Sequence, residues 1–149
     1  MRKFGKVLGR FLLAFAILIA LAFVIAPKEP VDRVISFDPA TLGADIDAYL
    51  ATQERQYSDI VPGTEKEIIW AGEKGAKTPL AIVYLHGFSA TKHEIQPVPD
   101  QVAAALGANL FYTRLSGHGR GAAPMAEPAA GDWIEDVAEA LAIGQRLGE

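Results

Sequence analysis

The chain has 149 residues, half of them hydrophobic, no cysteine, and a formal charge of −4. Four of its 14 basic residues lie in the first ten positions, so the remainder carries 10 basic against 18 acidic residues, a formal charge of −8. An acidic body argues against a nucleic-acid partner, which requires a basic face. The lack of cysteine excludes disulfides, thiol nucleophiles and thiolate metal sites.

Residues 1–26 are predicted to be a membrane anchor. Phe11 to Ala26 is an uncharged apolar run behind a basic flank. Extended back through Val7 to Arg10, the run reaches about the 20 residues that cross a bilayer. A cleaved signal peptide, cut near Ala20 to Ala22, is the alternative. The basic flank predicts a single-pass membrane protein with its body outside the cytoplasm, in the periplasm if the source is Gram-negative.

Residues 27–64 are predicted to be a linker and an amphipathic helix. Pro27 and Pro30 break the apolar helix and open the linker. Asp38 followed by Pro39 is typical of a helix start. Four apolar residues at helical spacing then predict a helix of about four turns, which we expect to cover the sheet or a membrane-proximal surface: Leu42, Ile46, Tyr49 and Leu50.

Residues 65–149 show the alternation of strands and helices that is typical of an α/β domain. Strands are predicted at 66–71, 80–85 and 109–113, and helices begin near residue 98 and at Asp132. The run at 80–85 is continuously apolar, which fits a strand buried on both faces in the middle of a parallel sheet. Asp132, with Glu135 three residues later, is predicted to cap the last helix.

Three motifs in this region resemble the α/β-hydrolase family. Leu85 to Ser89, reading LHGFS, is similar to the turn in which a His-Gly pair ends the third strand. Arg114 to Gly119, reading RLSGHG, resembles the Gly-His-Gly turn after the fourth strand, and Asp132 to Val137 resembles the start of the helix that leads to the nucleophile strand. The resemblance implies a partial, predominantly parallel α/β-hydrolase sheet with helices on both faces, residues 65–149 being its amino-terminal half.

The resemblance also implies hydrolysis of an ester, thioester or amide in a small acyl substrate through an acyl-serine intermediate, with no cofactor. It places the oxyanion-hole donor at the backbone N–H of Phe88, supported by His86, Gly87 and Ser89. Glycine at position 87 would let the main chain turn without a Cβ clash.

A nucleophile is not found within the chain. Serine hydrolases of this family place it in a Gly-x-Ser-x-Gly turn, and Gly87 to Thr91 is only a near match, on the wrong strand. Ser116 also fails the pattern, because Arg114 stands where the first glycine should be. We therefore expect a chain truncated before the nucleophile turn, with no catalytic residue of its own.

Two other classes remain open, and a metal site is not predicted. A catalytically inactive chain would serve a binding or structural role, and the glycine-rich Gly117 to Gly121 admits a nucleotide-binding enzyme. The dinucleotide fingerprint, however, opens a helix directly, whereas Pro124 and Pro128 follow here. The histidines lack metal-ligand spacing. Other side chains are expected in structural roles: Trp133 in the core, Asp136 and Glu139 on a solvated helix face.

Overall fold

The computed structural model describes residues 2–28 and 31–149, and the chain divides into two units, Met1–Pro30 and Val31–Glu149. The first unit contains helix α1, Arg2–Ile25, which ends before Pro27. Its segment Phe4–Ile25 is long and apolar enough to cross a membrane, and a signal sequence meets the same criteria. The predicted break at Pro30 lies outside the described residues.

The second unit combines three helices with three strands, so the α/β prediction is confirmed at that level. The helices are α2 (Ile46–Glu54), α3 (Val98–Leu106) and α4 (Ala130–Leu147), and the strands are β1 (Glu67–Ile69), β2 (Ala81–Tyr84) and β3 (Asn109–Tyr112). Short 3-10 turns lie at Pro39–Leu42, Lys92–Glu94 and Ala123–Ala126.

The sheet has the order β1-β3-β2 and is mixed, so the prediction of a predominantly parallel sheet is wrong. Strand β2 runs parallel to β3, with Ala81 opposite Asn109, whereas β1 runs antiparallel to β3, with Glu67 opposite Tyr112. The connections explain the difference. Helix α3 links β2 to β3 as a parallel crossover requires, while only a helix-free loop joins β1 to β2 and reverses the chain.

Helices cover the two faces of this sheet. On one face α2 and α4 pack against Ile68, Phe111 and Val83. On the other face α3 packs against Leu110 and Tyr112. The alternation follows from the period of two in a strand, which sends neighbouring residues to opposite faces.

Strand β2 is only half-buried, so the prediction that it lies fully buried in mid-sheet is wrong for the described residues. All four of its residues are of intermediate exposure, and Leu80 and Leu85 beside it are 56% and 40% exposed. Its outer edge carries one isolated parallel bridge, between Thr78 and Gly148, among the residues that the structure describes.

The predicted helix after Asp38 is broken in two. Asp38 caps the 3-10 turn by accepting a hydrogen bond from the Ala40 N–H at 2.9 Å. Gly43 then takes a left-handed φ of 64°, and Asp45 caps α2 by accepting from the Ala48 N–H at 3.0 Å. Two consecutive caps with a glycine between them therefore divide one predicted helix into a turn and a helix.

Helix α4 begins two residues earlier than predicted. Ala129 is its cap residue, and Asp132 lies in the first turn, where its carboxylate accepts the Ala129 N–H at 2.8 Å. Glu135 does not cap this helix. Its carboxylate instead accepts the N–H groups of Ser36 at 2.6 Å and Phe37 at 2.8 Å, which ties the linker to α4.

Candidate functional site

The candidate site lies where β2 and β3 end. Because these strands are parallel, their carboxyl ends meet at one edge of the sheet, the position at which open α/β sheets bind ligands. We call residues 85–90 the first loop and residues 113–121 the second loop. They follow β2 and β3 respectively, and they contain the two histidine motifs.

The first loop is fixed by Glu94. Its carboxylate accepts the Gly87 N–H at 2.9 Å and the Tyr84 hydroxyl at 2.5 Å. The hydrogen bonds from Tyr84 and Gly87 lower the pKa of Glu94, so the carboxylate is ionised at neutral pH. The Gly87 carbonyl accepts the Ala90 N–H at 3.1 Å and closes the turn.

Ser89, not Gly87, carries the unusual backbone conformation of this loop. Ser89 has a left-handed φ of 59°, whereas Gly87 lies outside that region. A Cβ added to Gly87 would meet Glu94 Oε2 at 3.4 Å, an ordinary van der Waals contact. The sequence argument that Gly87 is required for a clash-free turn is therefore wrong, and the strain lies at Ser89.

His86 is buried and reaches across to the second loop. Its Nε2 accepts the Leu115 N–H at 3.1 Å, and its Nδ1 lies 2.9 Å from the Gly87 carbonyl oxygen. This pattern fixes the neutral tautomer with the proton on Nδ1. Burial lowers the pKa of His86, with contributions from the neighbouring His118 and Arg114. His86 is therefore an acceptor for a backbone amide.

His118 is buried as well and makes the reverse connection. Its Nε2 accepts the Ser89 N–H at 3.1 Å, and its Nδ1 lies 3.0 Å from the Ser116 carbonyl oxygen. The centroids of the two imidazole rings are 4.8 Å apart. Each histidine thus holds the backbone of the opposite loop.

The backbone N–H of Phe88 is left free between two bound neighbours. Gly87 N–H donates to Glu94 and Ser89 N–H donates to His118, while the Phe88 N–H has no acceptor among the described residues. The Phe88 side chain is 72% exposed and lies edge-on to the ring of Trp133, with centroids 5.7 Å apart.

An open, mostly apolar cleft of about 570 Å³ adjoins this turn. Phe88, Ser89 and His118 form one side of it, and Val61, Ala122 and Met125 supply apolar side chains elsewhere in its lining. No charged residue lines the cleft within the part of the chain that the structure describes. The free N–H of Phe88 thus belongs to a turn beside a surface suited to an uncharged, apolar group.

Asp136 and Glu139 of α4 belong to a polar cluster beside the second loop, and neither lies where the sequence analysis expected it. Asp136 accepts the Ser116 N–H at 2.6 Å and its hydroxyl at 3.1 Å, and burial raises the pKa of Asp136. Glu139 is 5% exposed, forms an ion pair with Lys66 and accepts the Tyr49 hydroxyl at 2.7 Å. The prediction that both carboxylates lie on a solvated face is wrong, because this face of α4 packs against α2 and the second loop.

Trp133 belongs to the edge of the site. Its side chain is half-buried, its Nε1–H donates to the Ser116 carbonyl oxygen at 3.0 Å, and its ring lies edge-on to that of His118. It therefore positions the second loop as well as packing.

Two arginines that sequence reasoning missed fasten the second loop to residues 54–59. Arg114 is buried, binds the carboxylate of Glu54 through two 3.0 Å contacts and donates to the His118 carbonyl oxygen at 3.0 Å. Arg120 binds Asp59 at 2.7 and 3.1 Å. Both guanidinium groups lie over the ring of Tyr57, 5.1 and 4.3 Å from its centroid. A lone arginine beside a glycine motif carries no signal of such a long-range partner.

Among the described residues, no serine is hydrogen-bonded through its hydroxyl to a histidine. The Ser116 hydroxyl donates to Asp136, and neither Ser89 nor Ser116 has a hydroxyl hydrogen bond to a histidine in this part of the chain. Both buried histidines already use Nε2 to accept an amide. No group of side chains in the described ranges is arranged to hold a metal ion.

Comparison with protein-family models, with curated proteins and with solved structures found no match. Function must therefore be inferred from the geometry of the two loops and the cleft.

Proposed function

We propose that this chain supplies the oxyanion-binding part of a hydrolase that acts on a carboxylic ester or related acyl bond, as the resemblance to α/β-hydrolases implies. The observation that carries the proposal is the free N–H of Phe88, held between two hydrogen-bonded neighbours at the carboxyl end of β2. A donor that is fixed but unused is what a developing negative charge requires.

The chemistry of acyl transfer explains why such a donor matters. When a nucleophile attacks a carbonyl carbon, the carbonyl oxygen acquires negative charge, and preorganised N–H groups stabilise it. Loss of one such donor in a serine protease costs about 2.7 to 4 kcal/mol. The apolar cleft beside Phe88 provides room for the acyl chain, and its lack of charged lining favours a small neutral acyl substrate.

The assignment to half of an α/β-hydrolase domain stays part of the proposal, although the three-stranded sheet is mixed. A single antiparallel strand at the edge of an otherwise parallel sheet is common in doubly wound folds, and β1 holds that position here. At the opposite edge, Gly148 bridges Thr78 in the parallel sense and the Glu149 N–H donates to the Thr78 carbonyl at 3.1 Å. A further parallel strand added along β2 would extend the sheet.

In such a hydrolase this chain would bind the oxyanion, and the serine that attacks the carbonyl carbon would lie outside the described residues. We also infer that α1 is an anchor rather than a cleaved signal, and that its basic flank stays in the cytoplasm, which places residues 31–149 outside it. Lys6 and Arg10 supply charge at the start of the apolar segment.

A binding protein without turnover is the second candidate. It is favoured by the two buried histidines, because each ring nitrogen Nε2 accepts a backbone N–H and neither is available as a base. In that case the same cleft would hold an apolar ligand, and the free Phe88 N–H would bind a carbonyl oxygen of the ligand.

An NMR titration tests the role of Phe88. The ¹⁵N-labelled full chain in detergent micelles is titrated with butylphosphonate, whose anionic oxygens resemble the tetrahedral intermediate. We expect a saturable downfield shift of the Phe88 amide proton that exceeds the shifts at Gly87 and Ser89. Butanol is the matched neutral control and should leave the Phe88 amide unchanged. An unmoved Phe88 amide would overturn the proposal.

A chemical label tests whether this chain carries a nucleophile of its own. A fluorophosphonate reacts with activated serines, and we expect no labelling of this chain, since no serine hydroxyl is hydrogen-bonded to a histidine. Labelling that Ser89→Ala abolishes would show that the nucleophile lies in the first loop and would contradict the division of roles proposed above.

A further inference from the structure

We propose that His86 and His118 form a reciprocal clasp that positions the Phe88 N–H, and that protonation of His86 opens it. The functional meaning of the clasp rests on the role proposed for Phe88. Its geometry does not, because it is defined by two hydrogen bonds between the loops. His86 of the first loop accepts the Leu115 N–H, and His118 of the second loop accepts the Ser89 N–H, each at 3.1 Å.

The hydrogen bond of Nδ1 in each ring determines which ring nitrogen carries the proton. Nδ1 of His86 donates to the Gly87 carbonyl and Nδ1 of His118 donates to the Ser116 carbonyl, at 2.9 and 3.0 Å. Each proton is therefore held by a carbonyl of the same loop. Nε2 can then only accept, and among the described residues the donors presented to it are the backbone amides of the opposite loop.

The clasp determines where the Phe88 N–H points. His118 fixes the Ser89 N–H and with it the left-handed conformation of Ser89, while Glu94 fixes the Gly87 N–H. Phe88 lies between these two anchors, so its N–H remains free. His118 is thus a positioning residue for the donor, acting through Ser89, without itself touching a substrate.

Acid should open the clasp because a proton added to Nε2 of His86 would face the hydrogen of the Leu115 amide. The groups around His86 are the His118 ring, the Arg114 guanidinium and the Glu94 carboxylate. His118 is surrounded by the rings of Phe88, Trp133 and His86, and its carbonyl accepts a hydrogen bond from Arg114. Burial, the His118 ring and Arg114 oppose a positive charge on His86, and Glu94 alone among these groups favours it.

Couplings across the hydrogen bonds provide a direct test. In the ¹⁵N-labelled full chain in micelles at about pH 7.5, where an ordinary histidine is neutral, we expect scalar couplings from Ser89 N to His118 Nε2 and from Leu115 N to His86 Nε2. Ring nitrogen shifts should show the proton on Nδ1 of both histidines. The coupling to His86 should vanish on acidification, together with the change in its ring shifts. A proton on Nε2 at neutral pH, or a folded spectrum without the couplings, would overturn the clasp.

Variants distinguish positioning from simple packing. The His118→Gln side chain keeps an acceptor near the place of Nε2. We expect it to retain both a folded spectrum and the shift of the Phe88 amide with butylphosphonate. His118→Leu keeps the bulk without an acceptor and should abolish the Phe88 response. His93→Gln is the matched control, since His93 is exposed and contacts Gln96 instead of either loop; it should change neither property.

The two experiments can fail separately. Couplings without any response of Phe88 to butylphosphonate would leave the clasp standing and reject the oxyanion role. A response of Phe88 without couplings would reject the clasp and retain the oxyanion role. If His118→Leu does not fold, the couplings of the natural chain still decide, since a folded natural chain without the coupling from Ser89 N to His118 Nε2 would overturn the proposal.

Discussion

Single glycines in the second loop allow its backbone to pass close to neighbouring elements. Gly119 has a φ of 66°, and a Cβ there would lie 2.6 Å from Thr64 Oγ1 and 2.9 Å from Arg114 Cδ. Thr64 and Arg114 are both buried, so neither can move away freely. The glycine is therefore required for space as well as for conformation.

We expect Gly119→Ala to lower the free energy of unfolding by about 2 to 5 kcal/mol, through left-handed strain of about 1 to 2 kcal/mol and overpacking of about 1 to 3 kcal/mol. Gly121→Ala is the matched control, because Gly121 shares the left-handed φ, at 89°, but has nothing within 4 Å of its Cβ position. It should show the strain alone. Urea unfolding of both variants measures the difference, and equal losses would show that crowding at Gly119 is unimportant.

Asp136 gives the stability of the fold a dependence on pH. Burial raises the pKa of this carboxyl in the folded state, so between its unfolded pKa of about 3.9 and its higher folded pKa the folded chain binds more protons than the unfolded chain. The contribution of Asp136 to stability is therefore present below pH 4, approximately, and is lost as the pH rises through the folded pKa.

Asp136→Asn should remove this loss. Asparagine keeps an oxygen that can accept the Ser116 N–H, but it has no charge to desolvate. We expect the unfolding free energy of the variant, relative to that of the natural chain, to rise between about pH 4 and pH 6. Urea titrations at both pH values test the sign. A constant difference would show that the pKa of Asp136 is not raised.

At the scale of whole elements, local patterns predicted most of the helices and strands, and long-range pairing decided the rest. The apolar runs located β2 and β3, and α3 begins at Val98, as predicted. The direction of β1 was missed because it depends on the connection after it. The single helix predicted after Asp38 is interrupted at Gly43. Asp45, a typical N-cap residue, could have indicated this break.

The site shows the same division. The His-Gly turn and the Gly-His-Gly turn lie beside each other because β2 and β3 pair in parallel, an adjacency that the sequence analysis did not predict. The crossed hydrogen bonds of His86 and His118 join residues 29 apart in sequence, and the Arg114–Glu54 pair joins residues 60 apart. No local pattern specifies such partners. Asp136 and Glu139 were misplaced because charge alone predicts solvent exposure and ignores a polar partner on another element.

Helix α1 carries its own prediction. If it is an anchor, the full chain should remain in the membrane pellet after carbonate washing, at the mass of all 149 residues. The reason is that the segment Phe4–Ile25 is apolar, exposed and long enough to cross a bilayer. The chain lacking residues 1–26 is the matched control and should leave the pellet. Recovery of a soluble species that begins near Phe23 would show a cleaved signal peptide instead.

For the molecule as a whole, the open edge of β2 is the main liability. Beyond the Thr78–Gly148 bridge, this edge presents unpaired N–H and C=O groups among the described residues, flanked by the exposed side chains of Leu80 and Leu85. Exposed apolar residues of α3 adjoin it, including Val102 and Leu106. Open edges of this kind pair with other chains. Residues 31–149 expressed alone should therefore self-associate, with no turnover of p-nitrophenyl butyrate.

Lysines at a strand edge oppose such pairing, because joining two edges would bring like charges together. We expect Leu80→Lys combined with Leu85→Lys to increase the monomeric fraction of residues 31–149 in sedimentation velocity. Leu141→Lys is the matched control, since Leu141 is 56% exposed, as is Leu80, but lies on α4 away from the edge. It should leave the association unchanged. An equal effect of Leu141→Lys would show that the edge of β2 does not drive association. If residues 31–149 are already monomeric without these substitutions, the half-buried strand is stable without another strand beside it.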